Sequence, residues 1–405
     1  MIVLLIASIT VGCAAAAFSL YLLVLSIAAL FYSPPPPHTA PTQRLTVLIP
    51  AHDEAALIGR CVRSFGAQSY PRHLFQVVVV ADNCTDGTAS IAGSAGADAV
   101  LVRDEPHARG KGHALRWAMD ILLFEPEAPD AIVVVDADSV ADPDFLLALS
   151  QPFEAGAQAV QGESLLYGDG STSSELRVAA FRLVNRVRPS GRSALGLPAT
   201  TLAGNGMLLA RDLLLAKPWE AYTSAEDLEY GLDLQMAGVR IAFAGRAVVL
   251  SPPAPNAAAA ATQQLRWEGG KVHLARTRIP RLVIHAVRRR MPSLLGTAFE
   301  LALPPLGFIA ATAAAGMLLG GALTAGGVIP AWTLVPWLLA SAAIVLFVLI
   351  GLWAGQASKS EYRALLRAPL FVVTKPARAL GVMRFRGDTW VRTERAPEAE
   401  VRNRP

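Results

Sequence analysis

The chain has 405 residues, of which 53% are hydrophobic and only 17% charged, and its formal net charge is +4. That shortage of charge excludes an ordinary soluble protein, and the apolar share excludes a disordered or collagen-like chain. The deficit is local: no Asp, Glu, Lys or Arg occurs in residues 1–43 or 301–358. The remainder carries charge at the density of a water-facing domain, which excludes a transporter with little aqueous mass.

The first uncharged window can cross ~30 Å of hydrocarbon as a helix. Residues 1–32 are predicted to be one membrane helix rather than a cleaved signal, because no basic segment precedes the apolar run. Residues 33–43 hold Pro34, Pro35, Pro36 and Pro37, which end that helix and form a stiff linker.

Residues 44–255 read as alternating strands and helices. Short apolar, β-branched runs at 45–50, 76–80, 99–102 and 131–135 are each followed by a polar turn and a helix-compatible stretch. The pattern predicts an α/β fold with a mostly parallel sheet covered by helices on both faces. In such sheets ligands bind at the carboxyl ends of the strands. The residues there are Ala51-His52-Asp53-Glu54, Ala81-Asp82-Asn83, Arg103-Asp104 and Asp136-Ala137-Asp138. Two Asp one residue apart after a buried strand can aim hard oxygens at Mg²⁺ or Mn²⁺ shared with substrate phosphates, although alone the tripeptide also suits a solvated turn. Arg109-Gly110-Lys111-Gly112 ahead of a helix offers backbone donors and an ammonium to a pyrophosphate, or is simply a Gly-rich helix start. Neither the Walker A spacing nor G-x-G-x-x-G is present, which disfavours P-loop hydrolysis and Rossmann dehydrogenation.

Further along, Glu226, Asp227 and Glu229 follow Thr223-Ser224, a plausible helix N-cap, and the acids suit a first helical turn. Residues 256–299 are expected to be helical. Gln263, Arg266 and Trp267 share one helix face there, so a guanidinium for phosphate and an indole for a sugar can be presented together. Apolar and basic residues alternate over 267–291, as in helices lying at a membrane interface, and 175–188 reads equally as a second helix of that kind or as a solvated surface helix. The windows 300–329 and 330–355 are two further spans, separated by Gly326-Gly327 and Pro330, and 356–405 is a basic segment.

Net charge is −8 over residues 44–265, +7 over 266–290 and +6 over 359–405. Basic flanks beside the spans predict a multi-pass protein of a bacterial-type plasma membrane, with the large domain cytoplasmic, the N-terminus outside, and membrane lipids as partners. No basic stripe interleaved with aromatics occurs in the large domain, so nucleic acid is not an expected partner. Cys13, Cys61 and Cys84 form no spaced framework.

Taken together, the order of residues resembles the membrane-bound glycosyltransferases of family 2, which have the GT-A fold and include the cellulose, chitin, hyaluronan and poly-N-acetylglucosamine synthases. The resemblance is carried by residues 48–54 (Leu-Ile-Pro-Ala-His-Asp-Glu), 82–88 (Asp-Asn-Cys-Thr-Asp-Gly-Thr), Gly110-Lys111, Asp136-Ala137-Asp138, Gly204-Asn205-Gly206, Ala225-Glu226-Asp227, and Gln263 to Trp267, which matches Q-x-x-R-W. It implies an inverting, metal-dependent transfer from a nucleotide-sugar, UDP being the family-based expectation, onto a growing β-linked polysaccharide. The alternative is transfer of a single sugar to a membrane lipid or lipid-linked glycan. Carried over by position, Ala51, Glu54, Asp82, Lys111, Asp136, Gln263 and Arg266 would bind the donor. Asp138, with Asp136, would hold the metal. Asp227 would be the base, and Gly204, Asn205, Glu226 and Trp267 would meet the acceptor. Three spans are fewer than the larger synthases use, so export of a polymer would need a homo-oligomer or another membrane protein. Residues 371–375 resemble a synthase gating motif and 390–395 a C-terminal W-x-x-T-x-R ending.

Overall fold

The four apolar runs form β1 (Leu45–Ala51), β2 (Phe75–Asp82), β3 (Ala99–Arg103) and β4 (Ala131–Val134). The computed structural model describes residues 2–34, 40–198, 201–254 and 256–368. These divide into two units, one holding the stretches 34–167 and 198–301, the other 2–33, 168–197 and 302–368.

In the first unit β1 to β4 belong to an eight-stranded sheet with β5 (Val140–Ala141), β6 (Ala159–Leu166), β7 (Met207–Ala210) and β8 (Ile241–Ser251), in the order β3-β2-β1-β4-β7-β6-β8-β5. β1 pairs in parallel with β2 and β4, and β2 with β3. β7 runs antiparallel between β4 and β6, β6 and β8 are parallel again, and β5 is antiparallel to β8. Leu45, Val47 and Ile49 of β1 join a core with Ile58, Phe65, Phe145 and Leu146, from the helices Ile58–Gly66 and Phe145–Glu154. The helix Lys111–Leu122 packs against β1 and β2 as well, and Leu48 is likewise fully buried. Burial on both sides explains why these strands read as unbroken apolar runs. At roughly 1.5–3 kcal/mol for each fully buried Val or Leu, this core fixes where the strands end, and so where residues 51–54 and 136–138 stand.

The rest of this unit is a helical cluster in which Leu232 of the helix Glu226–Met236 meets Leu274, Leu282 and Ala286 of Ala257–Arg288, and Leu294 of Ser293–Ala302. The alternation over 267–291 is not spread over several helices. It lies mostly on one 32-residue helix, and Leu274 and Leu282 are spent on the protein core.

In the second unit Ile2–Ala29, Leu306–Ala325 and Ala331–Ala354 are long and apolar enough to cross a membrane. The second begins later than the charge-free window suggested, because residues 301–302 end the preceding helix and Pro304-Pro305 interrupt the chain. Trp337 sits where a Cβ on Gly316 would come within 2.1 Å of its ring, and its Nε1 donates to Ser8 Oγ at 3.1 Å. Residues 168–197, numbered within the expected 44–255 domain, belong to this unit. They form Thr172–Arg182, a π-helical turn Leu183–Val187 and Arg188–Ala194. Gly191 packs on the Leu25 backbone, Arg182 grips Glu361 at 2.8 and 2.9 Å, and buried Glu175 accepts from Ser360 Oγ at 2.7 Å. Residues 371–375 and 390–395 lie outside the described residues.

Candidate active site

The loops after β1 and β2 are locked to one another. Ala51 is the last residue of β1 and its carbonyl accepts from Cys84 Sγ at 3.4 Å. Asp53, at φ 50°, accepts from the Thr85 amide at 2.7 Å and from Thr85 Oγ1. The amide of buried Glu54 donates to Thr88 Oγ1 at 2.8 Å, and that hydroxyl donates onward to Asp86. Asp82, only 5% exposed at the end of β2, accepts from Arg103 at 2.5 Å and from Asn83 Nδ2 at 2.8 Å, both on Oδ1. Arg103 is 3% exposed and reaches the Ala108 carbonyl as well. The sequence flagged Arg103 only as a strand-end residue; its role as the buried partner of Asp82 needs the pairing of β2 with β3 to be seen.

A second group gathers beyond β4. Lys111 Nζ donates to Asp136 Oδ1 and to the Gly204 carbonyl, each at 2.5 Å. Gly204, at φ 69°, lies against Asp227: a Cβ there would sit 2.9 Å from Asp227 Oδ2. Gly112, next to Lys111, explains the second glycine of Gly-Lys-Gly, since a Cβ on it would stand 2.2 Å from the Ala221 carbonyl oxygen. That close approach draws the loop leading to Glu226 and Asp227 onto the start of the lysine's helix. Lys111, Asp136, Gly204, Glu226 and Asp227 thus meet although they span more than a hundred residues of chain.

Around this group the local expectations divide. The N-cap of Glu226–Met236 is Ala225, without a side-chain cap, not Thr223 or Ser224. Glu229 reaches back instead, accepting from the Thr223 amide at 3.3 Å, and its other oxygen pairs with Arg278 at 3.1 Å. Asn205 is 3% exposed; its Nδ2 donates to Ser139, Ser164 and Ser251 hydroxyls, and its Oδ1 accepts from the Asp136 amide at 3.1 Å. Its side chain holds the loop from within. Gln263, Arg266 and Trp267 lie on Ala257–Arg288, at seven, four and three residues before Gly270, hence on the same face as Gly270. A Cβ at Gly270 would come within 2.9 Å of Ala225 Cβ, so this face is seated beside the start of the helix that carries Glu226 and Asp227. Trp267 is 40% exposed.

The charges are unbalanced in this second group. Burial raises the Asp227 pKa, with Lys111 opposing and Asp136 adding to it. Glu226 is pushed up to about 7, first by burial and then by the Asp227 charge. Burial lowers the Lys111 pKa, but Asp136, Glu226 and Asp227 outweigh it and hold the ammonium charged. Asp136 and Asp138 are hard oxygen donors on one loop, and after burial it is their two charges that push the Cys61 thiol well up. Such a donor set fits Mg²⁺ or Mn²⁺. Among the described residues Asp53, Cys84 and Asp86 also come within 4.8 Å of one another. There the Asp53 and Asp86 oxygens already serve Thr85, Thr88 and the Ala55 amide, and burial raises the Cys84 pKa, keeping a neutral thiol. That trio fits a loop clasp, not a cation.

A mixed sheet whose parallel carboxyl edge gathers acids and a lysine defines a class, the nucleotide-sugar transferases of GT-A-like fold. The model of the family described as glycosyltransferase-like family 2 matches residues 41–270, and the chain belongs to that family. The β-monoglucosyldiacylglycerol synthase of Synechocystis sp. is 25% identical over 241 residues, covering 57% of this chain and 49% of that protein. The probable glycosyltransferase YdaM of Bacillus subtilis is 23% identical over 239 residues, covering 57% and 56%. The chain spans about half the length of these curated relatives. Among solved structures, the mannosyltransferase PcManGT from Pyrobaculum calidifontis, in complex with GDP-Man and Mn²⁺, superposes with a TM-score of 0.57 at 20% identity, covering 87% of this chain and 98% of that one. At that identity the likeness is one of fold.

Proposed function

We propose that the chain transfers a single sugar from a nucleotide-sugar, with UDP as the nucleotide, to a hydroxyl of a membrane lipid or lipid-linked glycan, with inversion at the anomeric carbon. The observation that carries this reading is the meeting of Lys111, Asp136, Gly204, Glu226 and Asp227 at the carboxyl edge of the sheet. The lipid acceptor is supported by the likeness to the Synechocystis β-monoglucosyldiacylglycerol synthase. The basic flanks of the spans favour a cytosolic catalytic unit in a plasma membrane.

In this reading the acceptor hydroxyl gives its proton to Asp227 as its oxygen forms the new bond to the anomeric carbon. The bond to the leaving diphosphate oxygen breaks with its electron pair, and an α-linked donor yields a β-linkage. Burial, by raising the Asp227 pKa, makes it a stronger base than a solvated carboxylate. Asp82, oriented by Arg103, faces the nucleobase, with Ala51 and Glu54 beside it. Lys111 fixes Asp136 and the Gly204 loop with two of its three donors and offers the third to the diphosphate. Asp138 and Asp136 would hold Mg²⁺ or Mn²⁺, and the ion would supply positive charge to a diphosphate that gains negative charge. Asn205 is a positioning residue, tying the Gly204 loop to Asp136. Gln263 and Arg266 close over the donor, and Trp267 and Glu226 meet the acceptor.

The test incubates detergent-purified protein with Mn²⁺ or Mg²⁺, labelled UDP- or GDP-sugars and diacylglycerol, and reads product size. One lipid-soluble product per donor supports the proposal. A ladder of long products would overturn it in favour of processive β-glycan synthesis, the outcome that the Q-x-x-R-W resemblance implies, with a homo-oligomer or another membrane protein completing the export path. Asp138→Ala is expected to weaken metal-dependent nucleotide binding by at least the about 10–100-fold typical of lost second-sphere partners, read by isothermal titration.

A further inference from the structure

Next to the Asp136–Asp138 loop is a cluster of hydroxyls that the proposed transfer leaves unused. Ser139 is fully buried, Asn205 and Ser164 are 3% and 9% exposed, and Ser251, the last residue of β8, completes the group. It is assembled in part by β6. In a regular strand residues three apart face opposite sides, yet Gln161 Nε2 donates to the Asn205 carbonyl at 2.8 Å and Ser164 Oγ accepts from Asn205 Nδ2 at 3.2 Å. The shift of register between Gly162 and Glu163 turns both onto one loop. Ser251 is fixed by its own backbone, whose carbonyl accepts from the Tyr167 amide at 3.2 Å.

Hydrogen counting gives the cluster a direction. Ser139 Oγ has one hydrogen to give and two lone pairs. Around it stand Asn205 Nδ2 at 2.9 Å, which only donates, Asp138 Oδ1 at 3.3 Å, which as a carboxylate only accepts, and Ser251 Oγ at 2.8 Å, which does either. Were the Ser139 hydrogen spent on Ser251, a lone pair would face the Asp138 charge from a buried atom, where the repulsion is poorly screened. The carboxylate takes the hydrogen, and Ser251 is left as the donor to Ser139. Ser251 Oγ in turn accepts from Asn205 Nδ2 at 3.3 Å, while Asn205 Oδ1 accepts from the Asp136 amide at 3.1 Å. We infer that Ser139 and Ser251 are positioning residues for the cation: a polarised run from Asn205 through Ser251 and Ser139 orients the Asp138 carboxylate, and the same Asn205 sets Asp136. The inference rests on the reading of Asp138 as a metal ligand given above. A carboxylate oriented in advance loses less freedom when the ion binds, so breaking the run weakens the metal and not the nucleotide.

The test is isothermal titration of UDP into the detergent-purified full chain at graded Mn²⁺, which reads the Mn²⁺ concentration giving half of the gain in UDP affinity. Ser251→Ala removes the donor to Ser139 and is expected to raise that concentration about 10–100-fold, as for other lost outer partners of a metal ligand, with UDP affinity in the absence of metal unchanged. Ser139→Ala, which removes the last donor, is expected to do the same. Ser251→Thr keeps the hydroxyl and restores the parent value. Ser164→Ala takes from Asn205 an acceptor outside the run and is expected to leave the Mn²⁺ dependence where it was. If the parent depends on Mn²⁺ and Ser251→Ala matches it, or Ser164→Ala shows an equal rise, the inference is overturned and the metal assignment stands. A parent whose UDP binding ignores Mn²⁺ removes Asp138 as a metal ligand, and the two fall together.

Discussion

The edge of the sheet formed by β1 to β3 and the group beyond β4 treat their acids in opposite ways. In the former, Asp53, Asp82 and Asp86 are each satisfied nearby, by Thr85, by Arg103 with Asn83, and by Thr88. In the latter, one ammonium, Lys111, faces Asp136, Glu226 and Asp227. The first is tied together by local hydrogen bonds and one buried ion pair. The second is buried and keeps an excess of negative charge; burial first, and neighbouring carboxylates after it, raise the Glu226 and Asp227 pKa values, which suits a migrating proton.

If that contrast is right, damage to each side reads out differently. The largest effect is expected from Asp227→Asn: turnover falls by about 10²–10⁴-fold, as for loss of a general base, while nucleotide affinity by titration calorimetry stays unchanged. Retained turnover would remove the base from Asp227. Arg103→Met strands a buried carboxylate on Asp82, so a stability loss of about 3–5 kcal/mol is expected, seen as a lower thermal midpoint together with weaker nucleotide binding. A midpoint equal to that of the parent would mean that the first edge is not held by this pair. Thr88→Val deprives the Glu54 amide of its acceptor and should cost about 1–3 kcal/mol by the same measurement.

The gentlest probe is pH. The Glu226 and Asp227 pKa values are raised in the fold, so the folded state holds protons that the unfolded chain releases. The pair therefore costs stability above the folded values, and the cost is relieved as pH falls through about 7 toward the ordinary carboxylate range. Lowering pH across that window should raise the thermal midpoint while turnover declines, and Glu226→Gln should flatten the former trend. Parallel movement of midpoint and turnover would contradict the charge imbalance.

How much could be read in advance follows burial. β1 to β4 stood out because strands buried on both faces are unbroken apolar runs. β6 did not: its Gln161 and Glu163 are buried at 4% and 2%, and its pairing with β8 shifts register after Gly162. Gln161 spends its amide on the carbonyls of Gly162 and Asn205, which an inspection of spacing cannot foresee. The expected cap at Thr223-Ser224 failed for a related reason. The Ala221 backbone is pressed onto Gly112, and the Thr223 amide is served by Glu229, so the helix starts only at Glu226.

By itself the sequence determined the apolar spans, the parallel half of the sheet and the acids at its carboxyl edge, since hydropathy and period are properties of neighbours along the chain. Only the tertiary structure decided that Asp82 is held by Arg103, that Asn205 is turned inward, and that Asp227 lies against Gly204 within reach of the charge on Lys111. The reason is physical. A carboxylate's partners, and with them its pKa and its chemistry, depend on which distant backbone comes near, and here that was set by two glycines at 112 and 204 with no side chain to keep their neighbours away.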